Sequence, residues 1–199
     1  MSESRTPEYP VDPIFLNRWS PRAFTGEAIP EQTLLSILEA ARWSPSAYNL
    51  QPWRFIWARA GTPAWGPLLA TLNEFNQSWA RNASALLVVL SAKTGLPPGA
   101  TEPQPNGWHA FDTGAAWLSA ALQATSLGWH AHAMAGFDKD LARSSLGVPD
   151  DFAVDAVVAI GRLSADKSAL PEALRARDNP TPRLPLAAIA AEGRFGFKS

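Results

Sequence analysis

Ser44-Pro45-Ser46-Ala47-Tyr48-Asn49-Leu50-Gln51-Pro52-Trp53-Arg54-Phe55 joins the end of a helical pattern to the start of an apolar strand. Upstream, Leu34, Leu35, Leu38 and Ala41 recur at helical spacing from Pro30, and Ser44-Pro45 ends that helix. Downstream, Phe55-Ile56-Trp57 has the bulk of a buried strand. Ser, Asn and Pro fill turns for backbone reasons. The loop nevertheless carries more hydroxyls and amides than a turn needs, and Asn49 and Gln51 each offer donors and acceptors together.

The elements on either side extend this pattern. Asp12-Pro13 predicts an N-cap and first helical residue for a short helix to about Asn17. Pro67 to Phe75 reads as one helix, and Leu86 to Ser91 as a strand buried on both faces. Residues 94–107 are rich in proline and glycine and read as an irregular loop, a candidate active-site cover. Asp112 to Leu127 is a small-residue-rich helix stopped by Gly128. Its alanines lie on more than one face, so it is expected to be buried all round or packed against another chain. Trp129 to Met134 and Val154 to Ile160 read as strands, with a helix capped by Asp138 between them. Residues 164–199 form an arm with no clear core period. Helices separate nearly all the strands, giving one α/β or α+β domain over residues 1–199.

Composition narrows the function. At 199 residues, with 46% hydrophobic and 18% charged content, the chain can bury a core of its own. A formal net charge of −1 disfavours nucleic acid or an anionic membrane as a general partner. There is no cysteine, which removes disulfides, dithiol redox chemistry, thiolate nucleophiles and cysteine-ligated metals. Redox chemistry would therefore need a bound cofactor. The polar start has no secretory pattern, and the apolar runs are too short to span a bilayer, so a cytoplasmic protein is expected. His130 and His132 alternate on a strand, but without a third ligand they argue for packing rather than metal. No Walker motif or dinucleotide fingerprint is present. Nine tryptophans stand out; Trp57 and Trp117 suit the core, whereas Trp19, Trp53, Trp79 and Trp108 sit beside polar loop residues.

Arg18-Trp19-Ser20-Pro21-Arg22 places two arginines and a hydroxyl in five residues after a helix. Such a group can converge on one phosphate, each charge-assisted hydrogen bond contributing roughly 1.5–3 kcal/mol. Taken alone it reads rather as a solvated loop with two ordinary surface arginines. Its meaning depends on the motifs downstream of it in the chain.

Arg-Trp-Ser-Pro-Arg, then some two dozen residues later the stretch from Ser44 to Phe55, strongly resembles the nitroreductase family of FMN-dependent oxidoreductases. Further matches come in order: the Asn76 segment, Asp112-Thr113-Gly114-Ala115-Ala116, Ala135-Gly136-Phe137-Asp138, and Pro182-Arg183-Leu184-Pro185-Leu186. The resemblance implies an α+β fold, a mixed and mainly antiparallel sheet flanked by helices, in an intertwined homodimer with shared FMN sites. It implies that Arg18, Ser20 and Arg22 bind FMN phosphate and the N1/O2 side of the ring, with Trp19 contributing backbone and Arg183 returning to the phosphate. Pro45, Ser46, Ala47 and Asn49 would come from the partner subunit. Gln51 and Asn76 would lie near the pyrimidine edge or its supporting shell, and Ala135-Gly136 near flavin N5 and O4.

The implied activity is hydride transfer from NAD(P)H through the flavin to an electron-poor aromatic acceptor such as a nitroaromatic or quinone. The flavin carries the chemistry, so no side chain is assigned as acid, base or nucleophile. Trp108 and His109 are expected on the substrate side. Three arginine contacts give roughly 5–9 kcal/mol gross, short of the ~12 kcal/mol of nanomolar binding, so the ring must be enclosed as well, which favours a site between two chains. Well-known members carry Glu where this chain has Ala135, and lysines near Trp79 and Thr181. Those departures bear on the redox potential and the choice between NADH and NADPH. The competing readings are a dehalogenase-like or flavin-cleaving enzyme and a flavin-binding sensory protein without turnover, with which the retained ring-edge residues are equally compatible. A structural protein that has lost flavin is disfavoured by the retained Arg18, Ser20, Arg22 and Arg183.

Overall fold

The computed structural model describes residues 5–197. The first four residues of the polar start and the last two of the C-terminal arm lie outside the described residues. The helices are α1 (Pro13–Asn17), α2 (Glu31–Arg42), α3 (Trp65–Ala70), α4 (Glu74–Ala80), α5 (His109–Ser126), α6 (Lys139–Leu146) and α7 (Glu172–Arg175). The strands are β1 (Trp53–Arg59), β2 (Ala85–Ala92), β3 (Thr94–Gly95), β4 (Gln104–Pro105), β5 (His130–Met134) and β6 (Phe152–Gly161). The main sheet has the order β1-β2-β6-β5, and every pairing in it is antiparallel.

Strand β2 alternates between two cores, which is why it reads as an unbroken apolar run. Leu86, Val88 and Leu90 face one core with Trp79, Leu170 and Leu174. Ala85, Leu87 and Val89 face the other with Leu34, Ile37 and the α5 alanines. The sheet is thus the middle of three layers, with α2 and α5 on one side and α3, α4, α6 and α7 on the other. The α+β reading holds.

Several expectations are corrected. The single helix over residues 67–75 is two: α3 ends at Ala70, and Asn73 caps α4 by accepting a hydrogen bond from the Asn76 N–H at 2.9 Å. An asparagine that can satisfy a free helix N–H starts a new helix where apolar spacing suggests the old one continues. The irregular loop over residues 94–107 contains a short ribbon, Thr94 opposite Pro105 and Gly95 opposite Gln104. The arm over residues 164–199 does reach the core, because Leu170, Leu174 and Asp178 are buried. Trp53 and Trp79 are buried despite their polar neighbours, whereas Trp108 is exposed. Helix α5 starts at His109, with Trp108 as its cap, and it is not buried all round. Ala116, Ala120 and Ala124 face the core while Phe111 and Leu118 face outward.

Candidate functional site

The segment after α1 runs beside β5, an edge strand of the sheet. His132 Nδ1 lies 2.9 Å from the Pro21 carbonyl oxygen. A carbonyl oxygen only accepts, so this bond places the proton on Nδ1. Trp19 meets the His130 ring edge-on at a centroid distance of 6.2 Å. Trp79 supports His132 from below at 4.8 Å, and the Arg22 guanidinium carbon stands 5.9 Å from the same indole.

The stretch following α7 closes the other side. Asp178 is fully buried, and its carboxylate accepts from the Arg22 N–H at 2.7 Å and the Ala23 N–H at 3.3 Å. Lys167 Nζ donates to the Asp178 carbonyl and, at 3.0 Å, to Asn179 Oδ1. Arg5 clasps the assembly from the N-terminus, donating to the carbonyls of Leu16, Arg18 and Thr181 at 2.9, 2.7 and 3.0 Å.

Between these segments lies a cavity of about 440 Å³ lined by Arg5, Arg18, Ser20, Arg22, Arg177 and Arg183, with Trp19 and His132 among its other walls. None of the five arginines forms an ion pair among the described residues. Burial pushes the Arg18 guanidinium below its ordinary value, and repulsion from Arg183 adds to it. Arg5 is lowered by burial and then by Arg183 and Arg18. Arg22 is lowered by burial, with Asp178 opposing and Arg177 reinforcing the shift. Its Nε is buried without a hydrogen-bond partner. Arginine stays protonated through shifts of this kind, so the cavity is a concentration of unpaired positive charge. It suits a dianion such as a phosphate monoester.

Arg18, Trp19, Ser20, Arg22 and Arg183, read from two distant segments, are therefore neighbours. Sequence reasoning missed Arg5, Arg177 and Asp178, and it assigned His132 to packing without linking it to the arginine loop. Arg5 stands alone near the start of the chain, Arg177 follows Arg175 in a segment without a clear period, and nothing in their spacing marks either for the cavity. The Asp178 and His132 positions acquire meaning only when the loop packs against them.

A second group meets at the turn after β5. Asn76 Nδ2 donates to the Gly136 carbonyl at 2.9 Å, and Trp79 Nε1 donates to Asn76 Oδ1 at 3.3 Å. Asn76 is thus committed to holding the Gly136 turn. Trp79 connects this turn to Arg22 and His132.

The polar loop from Pro45 to Gln51 does not line the arginine cavity of its own chain. Tyr48, Asn49 and Gln51 have φ of 51°, 56° and 48°, left-handed values that non-glycine residues rarely adopt, while Leu50 between them stays right-handed. It is held by Ser46 Oγ accepting from the Gln51 N–H at 3.0 Å, and by Asp112 accepting from the Ala47 N–H at 3.0 Å. Gln51 Nε2 also donates to the Asn49 carbonyl at 3.1 Å. Tyr48, Asn49 and Gln51 are exposed. Trp108 packs edge-on against Phe111 at 5.9 Å, and His109 Nδ1 lies 2.7 Å from the Ser91 hydroxyl. Neither lines the arginine cavity.

No helix among the described residues is long and apolar enough to cross a membrane. Residues 16–162 match the model of the nitroreductase family. The crystal structure of an oxidoreductase containing FMN superposes with a TM-score of 0.94 at 51% identity, covering 100% of this chain and 99% of the other. A nitroreductase family protein from Clostridium difficile 630 has the same fold, with a TM-score of 0.69 at 21% identity over 92% of this chain and 97% of its own. An NADH dehydrogenase of Thermus thermophilus is 30% identical over 188 residues, 80% of this chain and 89% of that protein.

Proposed function

The chain belongs to the nitroreductase family, and from that membership we propose that it is an FMN-dependent oxidoreductase carrying hydride from NAD(P)H to an electron-poor acceptor such as a nitroaromatic or a quinone. One observation carries the reading: five arginines without acidic partners around a single cavity, with a buried Arg22 Nε left unsatisfied. These residues fit a phosphate-bearing cofactor. The FMN-containing oxidoreductase with which the chain shares half its sequence supports the same assignment.

In this reading Arg18, Ser20 and Arg183 hold the FMN phosphate, with Trp19 giving backbone and Arg22 reaching toward the ring. Gly136 and Ala135 present backbone beside the ring, and Asn76 fixes their turn. When bound, FMN supplies the two-electron hydride chemistry that no side chain of this cysteine-free protein provides. The protein's own contribution is to bind, orient and shield.

Assembly as a homodimer completes the site. Pro45, Ser46, Ala47, Asn49 and Gln51 stand away from their own chain's cavity on a loop whose left-handed backbone is pinned by Asp112. Trp43 at the end of α2, Tyr48 on the same loop, and Trp108, Phe111 and Leu118 on α5 with its cap are exposed apolar side chains. A second copy would cover that surface and bring the loop to the partner's cavity, with Trp108 and His109 on the acceptor side.

The test is an absorption spectrum of the purified protein under anaerobic conditions, before and after NADH or NADPH. A bound-flavin spectrum that bleaches with either nucleotide and recovers with a quinone or nitroaromatic is expected. A colourless protein that takes up no FMN sinks the proposal, and bound flavin that neither nucleotide bleaches favours a binding protein without turnover.

A further inference from the structure

Arg177 and Arg22 stand apart from the other three cavity arginines, because neither guanidinium makes a hydrogen bond or ion pair among the described residues. Arg5 spends its donors on three carbonyls, Arg18 reaches the Ser20 hydroxyl at 3.3 Å, and Arg183 reaches the carbonyls of Thr181 and Pro182 at 3.3 and 3.1 Å. The Arg177 guanidinium lines the same cavity, yet it makes no hydrogen bond or ion pair among the described residues. Its backbone is held all the same. The N–H of Arg177 donates to the Leu174 carbonyl at 3.1 Å, and Leu174 is buried in the core. The next residue, Asp178, is locked to the Arg22 and Ala23 amides. Asn179 is committed to Lys167 and to the Ala176 carbonyl, so it braces the wall and leaves the cavity to Arg177.

We propose that Arg177 is a further ligand of the phosphate monoester, and that buried Asp178 is the positioning residue that sets it opposite Arg22. The proposal rests on the reading of this cavity as the seat of the FMN phosphate. Because its backbone is already fixed through Leu174 and Asp178, Arg177 needs only the ordering of its side chain to reach an anion, a cost that a charge-assisted hydrogen bond can offset. Arg177 adds to the repulsion that lowers Arg22. A dianion between the two relieves it.

The test compares FMN and riboflavin dissociation constants, read by flavin fluorescence, for the wild-type protein, R177M, R177K, D178N and the R177M/D178N double variant. Arg177 is exposed, so R177M leaves the fold intact. FMN affinity should fall on the order of tenfold in R177M, with partial recovery in R177K and no change in riboflavin affinity. D178N should weaken FMN through the same arginine, so the double variant should cost little more than the worse single change. Unchanged FMN affinity in R177M, or equal losses for FMN and riboflavin, overturns the ligand role. Additive losses overturn the positioning role of Asp178. So does tighter FMN binding in D178N, since that would mean the carboxylate acts only as a negative charge near the phosphate. If D178N does not fold, R177M and R177K still decide the ligand role. If the wild-type protein binds no FMN, the cofactor reading fails separately, and calorimetric titration of R177M with inorganic phosphate still tests Arg177.

Discussion

The Asn76 carboxamide donates to the carbonyl of Gly136, sixty residues along the chain, at 2.9 Å. A Cβ on Gly136 would lie 2.6 Å from that same Nδ2 and 2.5 Å from the Nδ2 of Asn73. Both amides are already engaged, Asn73 as the cap of α4 and Asn76 between Gly136 and Trp79. Close approach, rather than a left-handed backbone, is what requires glycine at this turn. Gly136→Ala should cost about 1–3 kcal/mol by overpacking, measured by urea unfolding. Flavin affinity should fall in the same variant, and a substitution without effect on either would show that the turn is freely adjustable.

Trp79 is fully buried and joins both halves of the candidate site, touching His132, Arg22 and Asn76. Trp79→Ala should destabilise the fold by about 3–5 kcal/mol, enough to threaten expression. Trp79→Phe keeps most of the volume but removes the Nε1 donor to Asn76. A smaller loss of about 1–2 kcal/mol is expected there, the cost of an unpaired buried acceptor. Chemical denaturation of the two variants separates packing from hydrogen bonding.

Arg18 and Arg183 come from segments that are far apart in sequence, and burial plus mutual repulsion lower the Arg18 guanidinium. Removing both relieves repulsion in the empty cavity. The Arg18→Ala/Arg183→Ala protein should therefore be as stable as wild type or more so without cofactor, yet lose FMN on purification. Flavin content after gel filtration, set beside the thermal midpoint of cofactor-free protein, reads both effects. Retention of a full flavin complement would refute these two as phosphate contacts.

His132 is held below its ordinary value of 6.5 first by burial, with Arg22 adding repulsion, while the Pro21 carbonyl, Asp178 and Ser20 oppose the shift. His130 is lowered by burial and then by Arg18. In the unfolded chain each imidazole takes up a proton near its ordinary value, but in the folded chain only at lower pH. The unfolded state thus binds more protons in that window, and stability falls as pH drops below about 6.5. Above it both states are neutral and the contribution is flat. His132→Gln should flatten the acid side of a plot of thermal midpoint against pH. An unchanged slope would assign the acid sensitivity to other groups.

Much of the fold was legible in local pattern. The helix and hydroxyl-rich loop from Ser44 to Phe55, the Asp12 and Asp138 caps and the strand at Leu86 arise from spacing, capping chemistry and β-branched content, all of which act over a few residues. The break between α3 and α4 escaped because the apolar spacing carries across it, while the cap that creates it is a single asparagine. The buried positions of Trp53 and Trp79 escaped because their sequence neighbours are polar, and burial depends on what the other layer brings.

The candidate site divides in the same way. Arg18-Trp19-Ser20-Pro21-Arg22 is visible in sequence because its members are adjacent, though its meaning came from the ordered motifs behind it. Tertiary structure alone decided that Arg5 and Arg177 join Arg18, Arg22 and Arg183 around one cavity, and that Asp178 and His132 both hold the loop. Charge repulsion and buried hydrogen bonds act through space between residues far apart in the chain, so the sequence names the groups but the packing sets their partners.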